Sequence, residues 1–216
     1  MDRTSLLESY YSSMLSELGP SQWWPGETPF EIAVGAILTQ NTNWKNVAKA
    51  IDQLKAANAL SVDAMSALSA ERLAELIQPS GFFRLKAKRL RAFLALLNDE
   101  YDGQLEALAQ EDCATAREKL LAVNGIGPET ADSILLYALG QPSFVVDAYT
   151  RRILSRHGLL PEDVPYDELR DFFMDVLPED ASLFNEFHAL IVRVGKQWCR
   201  KSKPLCDECP LATFLP

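Results

Sequence analysis

Apolar residues recur at helical spacing along most of the 216-residue chain, and Gly, Pro or capping residues separate the segments. Alternation of polar and apolar residues over the length of a strand is missing, and the apolar run at 143–146 is short enough to be a buried connector. The sequence therefore predicts an all-α fold. The predicted helices cover residues 4–18, 29–38, two short stretches within 47–77, 84–98, 105–109, 113–123, a segment beginning at 128, 148–156, 166–176 and 181–198.

Two glycines mark a tight turn between helices at Gly125-Ile126-Gly127. Glycine tolerates positive φ in such a reversal, and Pro128 suits the first helical position because its missing N–H is not needed there. Backbone N–H groups at the start of a helix bind phosphate whatever the base sequence of the nucleic acid. The pattern indicates a clamp for a DNA backbone, with a plain connector between helices as the alternative.

A dinucleotide-binding loop is a second alternative for these glycines. That loop needs a third glycine where this chain has Thr130, and it needs a strand before the first glycine. Residues 114–123 have helical spacing instead, so both requirements fail.

A single carboxylate, Asp147, follows the hairpin by about twenty residues and precedes the helix predicted at 148–156. An aspartate in this position caps the helix, and the helix dipole keeps it ionised. The capping role and a catalytic role are compatible, because an ionised carboxylate also stabilises positive charge that develops on a substrate.

The net charge of the whole chain is −9, which by itself argues against a nucleic-acid partner. Contacts with a DNA backbone depend on local charge. Each basic cluster of this chain is either a solvated helix face or part of a phosphate track, and their position around the hairpin and Asp147 favours the track. The clusters are Arg84, Lys86, Lys88, Arg89 and Arg91; Arg151, Arg152 and Arg156; and Lys196, Arg200, Lys201 and Lys203.

Three of the four cysteines, Cys199, Cys206 and Cys209, fall within the last eighteen residues, which favours a metal site over a disulfide framework. Cys113 is expected to be a small core residue. His157 and His188 are expected to be structural or exposed, because no motif for nucleophilic hydrolysis accompanies them. The chain has no apolar run long enough to span a bilayer and no leader-like N-terminus, so we expect a cytoplasmic monomer, associated with the nucleoid when bound to DNA.

Several motifs together resemble the helix-hairpin-helix DNA glycosylases, and most closely the bacterial 3-methyladenine branch of the endonuclease III family. They are Trp-Trp-Pro at 23–25, Leu-Thr-Gln-Asn-Thr at 38–42, Pro-Ser-Gly-Phe-Phe at 79–83, Lys-Ala-Lys-Arg-Leu at 86–90 and Gly-Ile-Gly-Pro-Glu-Thr-Ala-Asp at 125–132. The resemblance implies a two-domain fold. Residues 25–138 are expected to form a six-helix barrel and residues 1–24 and 139–216 the second domain, with the lesion pocket in the cleft between the two.

The resemblance also assigns roles to individual residues. Asp147 occupies the position of the catalytic aspartate. Asn41 is expected to enter the gap left by an extruded base, with Gln40 as the neighbouring candidate, although these polar residues serve equally well to end a helix. The DNA backbone is expected to contact the hairpin residues Gly125, Ile126, Gly127 and Thr130.

The expected reaction is hydrolysis of an N-glycosidic bond in double-stranded DNA, after the damaged nucleotide has been extruded from the helix. Family members that also cut the backbone carry a lysine two residues after the second hairpin glycine, where this chain has Glu129. A carboxylate cannot form a Schiff base, so a monofunctional enzyme that leaves an abasic site is expected.

Trp24 and Trp44 are the candidates for stacking on the extruded base, and Glu129 stands at the pocket rim. Indole faces favour a positively charged base, which suggests an alkylated purine such as 3-methyladenine. Tryptophans of this kind also serve as plain core anchors. The alternatives are an oxidised-pyrimidine or mismatch glycosylase of the endonuclease III family, and a non-catalytic DNA-binding protein of the same fold.

The cysteine spacing resembles the iron–sulfur loop of endonuclease III, which implies a 4Fe-4S cluster on Cys199, Cys206 and Cys209. The position of the fourth cysteine is Leu215. A cluster with one iron bound by another group, a labile cluster and an empty loop all remain open, as does zinc with three thiolates and a borrowed ligand.

Overall fold

The computed structural model describes residues 2–21, 23 and 26–216, and the regular structure within them is entirely helical. The prediction of an all-α fold is confirmed. The α-helices of these residues are α1 (Arg3–Leu18), α2 (Pro29–Thr39), α3 (Trp44–Ala56), α4 (Val62–Ser66), α5 (Ala70–Leu76), α6 (Phe83–Tyr101), α7 (Leu105–Leu108), α8 (Cys113–Ala122), α9 (Pro128–Ser133), α10 (Ala148–Arg156), α11 (Tyr166–Met174) and α12 (Ala181–Gln197). Single 3-10 turns lie at Gln78–Ser80, Cys206–Glu208 and Ala212–Phe214.

Side-chain caps set the start of most helices. The Thr28 hydroxyl accepts a hydrogen bond from the Glu31 N–H, and Pro29 occupies the first helical position of α2, as predicted. The prediction of two short helices within 47–77 is wrong, because three helices occupy this part of the chain. Asn43 caps α3 through its side-chain oxygen, so that helix begins earlier than apolar spacing alone indicated, at Trp44.

The chain divides into two compact units, a middle unit, Trp24–Gln141, and an end unit, Met1–Trp23 with Pro142–Pro216. Helix α2 lies at the centre of the middle unit, where it contacts α3, α6 and α9. Eight of its eleven residues are buried, among them Ala33, Gly35 and Ala36, whose small size lets neighbouring helices approach closely.

Helix α9 is short because its backbone changes pitch. It continues directly into a π-helical turn, Ile134–Ala138, whose five residues are all buried. The N–H of Leu139 bonds to the carbonyl of Ile134 at 3.0 Å, the wide spacing of a π turn. This turn packs against α2, and it anchors the second helix of the hairpin in the core of the middle unit.

The end unit is built on α12, which packs against α1 and α10. The connector before α10 is buried as predicted, with Phe144 stacked on Phe173 at a centroid separation of 4.0 Å. Gly195 of α12 lies under the Tyr149 ring, since a Cβ there would stand 2.4 Å from Tyr149 Cδ1. The close approach of α10 and α12 therefore requires glycine at this position. Among the described helices, none is long and apolar enough to cross a membrane.

Candidate functional site

The hairpin predicted at 125–127 joins α8 to α9. Gly125 has φ +89°, and a Cβ there would lie 2.5 Å from Cγ of Arg89, so both the backbone conformation and the available space require glycine. The Ile126 side chain is buried in the core of the middle unit, and its N–H donates to the Val123 carbonyl at 3.0 Å. Ile126 therefore anchors the hairpin from within, and the two exposed glycines form its outer face.

Gln40 links the loop after α2 to the hairpin. Its Nε2 donates to the Gly125 carbonyl at 3.1 Å and to the Thr130 hydroxyl at 2.9 Å. Its Oε1 accepts a hydrogen bond from the Arg89 guanidinium. The structure thus brings together three residues that the sequence analysis associated with DNA, but Gln40 and the buried Thr130 are engaged inside the protein.

Asn41, the next residue, has the opposite character. It is exposed and adopts a left-handed conformation with φ 53°, which asparagine tolerates better than most residues. The polar residue that the loop presents outward is therefore Asn41, while its neighbour Gln40 fixes the loop.

Phe82 is an exposed aromatic residue that the sequence analysis did not single out. Its side chain is 68% exposed, and its backbone is left-handed with φ 45°, directly after Gly81 at φ 68°. A large apolar side chain held outward in a strained conformation is uncommon and suggests a contact with a partner. The sequence does carry a sign of this exposure, because Phe82 directly follows a Ser-Gly turn instead of lying on the apolar face of a helix.

The three base-contact candidates have different positions. Trp24 lies outside the described residues. Trp44 is half-buried at the start of α3 and packs against the core of the middle unit, as expected of an anchor. Glu129 is exposed in the first turn of α9.

Asp147 caps the N-terminus of α10, as the sequence predicts. Its Oδ1 accepts hydrogen bonds from the N–H groups of Tyr149 and Thr150, both at 2.8 Å, and from the Thr150 hydroxyl at 3.1 Å. The Asp147 N–H donates back to that hydroxyl and completes a capping box. Three donors therefore fix Oδ1, and α10 sets the orientation of the whole carboxylate.

His188 of α12 faces the second oxygen of this carboxylate. Its Nε2 lies 3.7 Å from Oδ2 of Asp147, and the two side chains are 6% and 14% exposed. Burial by itself raises the pKa of Asp147, but the interaction with His188 and the bonds from Thr150 outweigh burial and lower the pKa. Asp147 is therefore ionised at neutral pH, and His188, expected to be merely structural or exposed, borders the candidate catalytic residue.

His157, the second histidine, is buried in the end unit. Its Nδ1 lies 2.6 Å from the Tyr10 hydroxyl. This contact is distant in sequence and joins α1 to the end of α10, which agrees with the structural role predicted for His157.

The arginines after Asp147 bind the protein itself rather than forming a solvated face. The Arg152 guanidinium donates to the carbonyls of Cys199, at 2.7 Å, and Gly195, at 3.2 Å. Arg151 donates to the carbonyls of Glu162 and Val164. This cluster holds the loops of the end unit, and it supports a phosphate track less well than the sequence pattern indicated.

The three clustered cysteines line one small cavity of the end unit together with His157 and Leu215. Arg156 donates to Sγ of Cys199 at 3.3 Å. Burial raises the pKa of the Cys209 thiol, and the nearby thiols of Cys199 and Cys206 raise it further.

Three thiolates would be available to an iron–sulfur cluster here, but Leu215, at the position of the fourth, offers only hydrocarbon where a thiolate is required. Within residues 2–21, 23 and 26–216, no three His, Cys, Asp or Glu side chains converge closely enough to hold a single metal ion.

Comparison with known proteins identifies the family. The sequence model of the HhH-GPD superfamily of base excision DNA repair proteins matches residues 34–179. The protein named "Putative DNA repair glycosylase MJ1434" of Methanocaldococcus jannaschii is 46% identical over 215 residues, which cover 99% of this chain and 97% of that protein. Endonuclease III of Thermotoga maritima is 29% identical over 181 residues, which cover 84% of this chain and 79% of that protein.

A solved structure of the same family matches almost the full length. The crystal structure of the H. pylori 3-methyladenine DNA glycosylase bound to 1,N6-ethenoadenine superposes with a TM-score of 0.78 at 33% identity, covering 91% of this chain and 98% of that chain. The chain therefore belongs to the HhH-GPD superfamily of base excision DNA repair proteins, as an endonuclease III-like DNA glycosylase.

Proposed function

We propose that this protein is a monofunctional glycosylase that removes an alkylated purine, such as 3-methyladenine, from double-stranded DNA by hydrolysis. The observation that carries the proposal is the state of Asp147, a largely buried but ionised carboxylate with one oxygen fixed by three donors and the other facing His188. A carboxylate held in this way is preorganised for the charge that develops on the sugar.

The reaction needs such a group because breaking the bond to the base leaves positive charge on the sugar. As the base leaves, the sugar approaches an oxocarbenium ion, and a fixed negative charge lowers the energy of that state. Oδ1 is already occupied by Tyr149 and Thr150, so Oδ2 is the oxygen that we assign to the sugar and the attacking water.

Absence of lyase activity forms part of the proposal. Glu129 replaces the lysine that strand-cutting relatives use, and it cannot form an imine. Lys86 has a pKa that would suit a Schiff base, since burial lowers that pKa to about 8. However, Lys86 is 1% exposed and its Nζ is bonded to two carbonyls, so a sugar cannot reach it.

The choice of an alkylated purine rests on two supports. The H. pylori relative named for 3-methyladenine is 33% identical over almost the whole chain. Trp24, the half-buried Trp44 and the exposed Glu129 would offer aromatic faces and a negative charge, which favour a cationic base. DNA would be gripped by the outer face of the hairpin, while Asn41 and Phe82 enter the base stack, because both are held outward on left-handed backbone.

We also propose that Cys199, Cys206 and Cys209 hold an iron–sulfur cluster in which one iron takes its ligand from outside the thiol set. The support is that the three thiols line one cavity and that Leu215 occupies the fourth position. Such a group would be structural here, because Cys199 lies just after α12 and its Sγ accepts a hydrogen bond from Arg156 of α10.

Release of free bases from defined duplexes tests the proposed function. The purified protein is incubated with duplexes that carry 3-methyladenine, 1,N6-ethenoadenine, thymine glycol or a T·G mismatch, and released bases are separated by chromatography. We expect release from the alkylated duplex and no trapped complex with borohydride. Release of thymine glycol with borohydride trapping would instead identify a bifunctional oxidised-pyrimidine enzyme, and binding without release would identify a non-catalytic DNA-binding protein.

A further inference from the structure

Lys86 is a buried lysine on α6 with a function that the reaction itself does not explain. Its side chain is 1% exposed, and its Nζ donates to the carbonyl of Leu38 at 2.8 Å and to the carbonyl of Ser80 at 2.7 Å. Burying an ammonium group costs free energy unless the group is hydrogen-bonded, so the bonds to the two carbonyls offset the cost of burying Lys86.

Each carbonyl belongs to the base of a loop that presents an outward side chain. Leu38 lies in the last turn of α2, directly before the loop that carries Asn41. Ser80 closes the 3-10 turn that precedes Phe82. One ammonium thus joins the bases of the two loops whose exposed tips are Asn41 and Phe82.

A second cation of α6 fixes the same region. Arg89, three residues after Lys86 and on the same side of the helix, donates to Gln40, and Gln40 in turn donates to the hairpin at Gly125. The Ser80 hydroxyl donates to the Ile77 carbonyl at 2.8 Å and so adds a side-chain bond across its turn. Helix α6 therefore holds the Asn41 loop, the Phe82 turn and the hairpin in one fixed arrangement.

We infer that Lys86 is a positioning residue for nucleotide extrusion: by bonding Leu38 and Ser80 it sets the separation of Asn41 and Phe82, so that both side chains enter the duplex in a single event. The inference rests on the proposed function, because it requires that a nucleotide leaves the stack. A base in single-stranded DNA needs no such insertion. Lys86 should therefore affect duplex substrates and leave single-stranded substrates unchanged.

Methionine has nearly the length of lysine without its donors, so Lys86→Met removes the two bonds at small cost in packing. Lys86→Arg keeps the charge and the donors and serves as the conservative variant. Lys49→Met is the matched control, because Lys49 is exposed on α3 and lies outside the basic clusters. Thermal unfolding of all four proteins verifies that each is folded before activity is compared.

The first measurement is single-turnover release of the alkylated base from a duplex and from the same strand alone. We expect Lys86→Met to slow release from the duplex about tenfold or more, with release from the single strand within about twofold of the unmodified protein. Lys86→Arg should recover most of the duplex rate, and Lys49→Met should match the unmodified protein. Equal losses on both substrates, or no loss on either, would overturn the inference.

The second measurement does not depend on base release. A duplex with a stable abasic analogue and 2-aminopurine in the opposite strand reports insertion as a rise in fluorescence on binding. We expect a rise with the unmodified protein and a reduced rise with Lys86→Met at saturating protein. An unchanged rise would overturn the inference, whichever lesion the protein removes. Failure of base release by every protein would overturn only the proposed function. If Lys86→Met does not fold, Lys86→Gln replaces it in both measurements.

Discussion

Oδ2 of Asp147 lies 3.7 Å from Nε2 of His188, across the contact between α10 and α12. The arginines that follow Asp147 in α10 bind backbone carbonyls, Arg151 at Glu162 and Val164 and Arg152 at Gly195 and Cys199. His188 is therefore a side chain of α12 that lowers the pKa of the candidate catalytic carboxylate.

Replacement of His188 should move the pH dependence of base release. His188 helps to lower the pKa of Asp147, so His188→Gln raises that pKa while burial continues to favour the neutral form. The group must be ionised to act, and its ionised form is lost as the pH falls through its pKa. The acid limb of the single-turnover rate should therefore move to higher pH in the variant. Superimposable limbs for the two proteins would show that His188 has no electrostatic influence on Asp147.

Gly125→Ala should damage the hairpin more than an equivalent change elsewhere. Alanine at φ +89° is strained, and its Cβ displaces Arg89 from Gln40, so we expect a loss of about 1–3 kcal/mol in the free energy of unfolding and weaker binding to duplex DNA.

The matched control for this change is Gly140→Ala. Gly140 also has positive φ, at +65°, but nothing lies within 4 Å of its added Cβ. We expect a loss of about 1 kcal/mol and unchanged DNA affinity. Urea unfolding and fluorescence anisotropy measure both effects, and equal affinity for the two variants would count against a role of the hairpin in binding.

Burial of Lys86 should make stability rise with pH. Its pKa is lowered to about 8 in the folded protein, against about 10.4 in an unfolded chain. Between these values the unfolded chain binds one proton more, so the free energy of unfolding increases by up to ~1.4 kcal/mol per pH unit. Lys86→Met should lack this increase relative to the unmodified protein, and Lys49→Met should keep it. Parallel curves for Lys86→Met and the unmodified protein in urea unfolding would contradict the assignment.

Leu215→Cys should complete the ligand set of the cysteine loop. If the three thiolates hold a cluster, the unmodified protein contains iron and sulfide and absorbs broadly in the visible range, and Leu215→Cys retains more iron when a chelator is added. Cys113→Ser is the control, because Cys113 lies in the middle unit and should leave the iron content unchanged. Absence of iron and sulfide from both the unmodified protein and Leu215→Cys would remove the cluster from the account.

The features that the sequence predicts well are local. The cap at Thr28, the capping role of Asp147 and the turn at Gly125 each depend on neighbours within a few residues, and the structure has all three. Helix α3 begins at Trp44, before the first residue that apolar spacing predicts, because the Asn43 side chain caps it.

The features that the sequence does not reveal are contacts between distant segments. The bond from Gln40 to Thr130, the approach of His188 to Asp147 and the bonds of Lys86 to two loops become visible only when the helices are packed. The sequence does not tell which residues of a basic cluster face solvent and which bind backbone carbonyls, because both kinds are lysines and arginines. Arg152 is one that binds carbonyls.

The most direct test of the central claim compares Asp147→Asn with the unmodified protein in single-turnover release of the alkylated base from duplex DNA. Asparagine also caps helices, so α10 should persist, and Asp112→Asn, which changes the exposed cap of α8, controls for the loss of a capping carboxylate. The account predicts a rate lower by about 100-fold to 1000-fold for Asp147→Asn, with DNA affinity retained and with Asp112→Asn close to the unmodified protein. An Asp147→Asn protein that releases the base at the unmodified rate would contradict it.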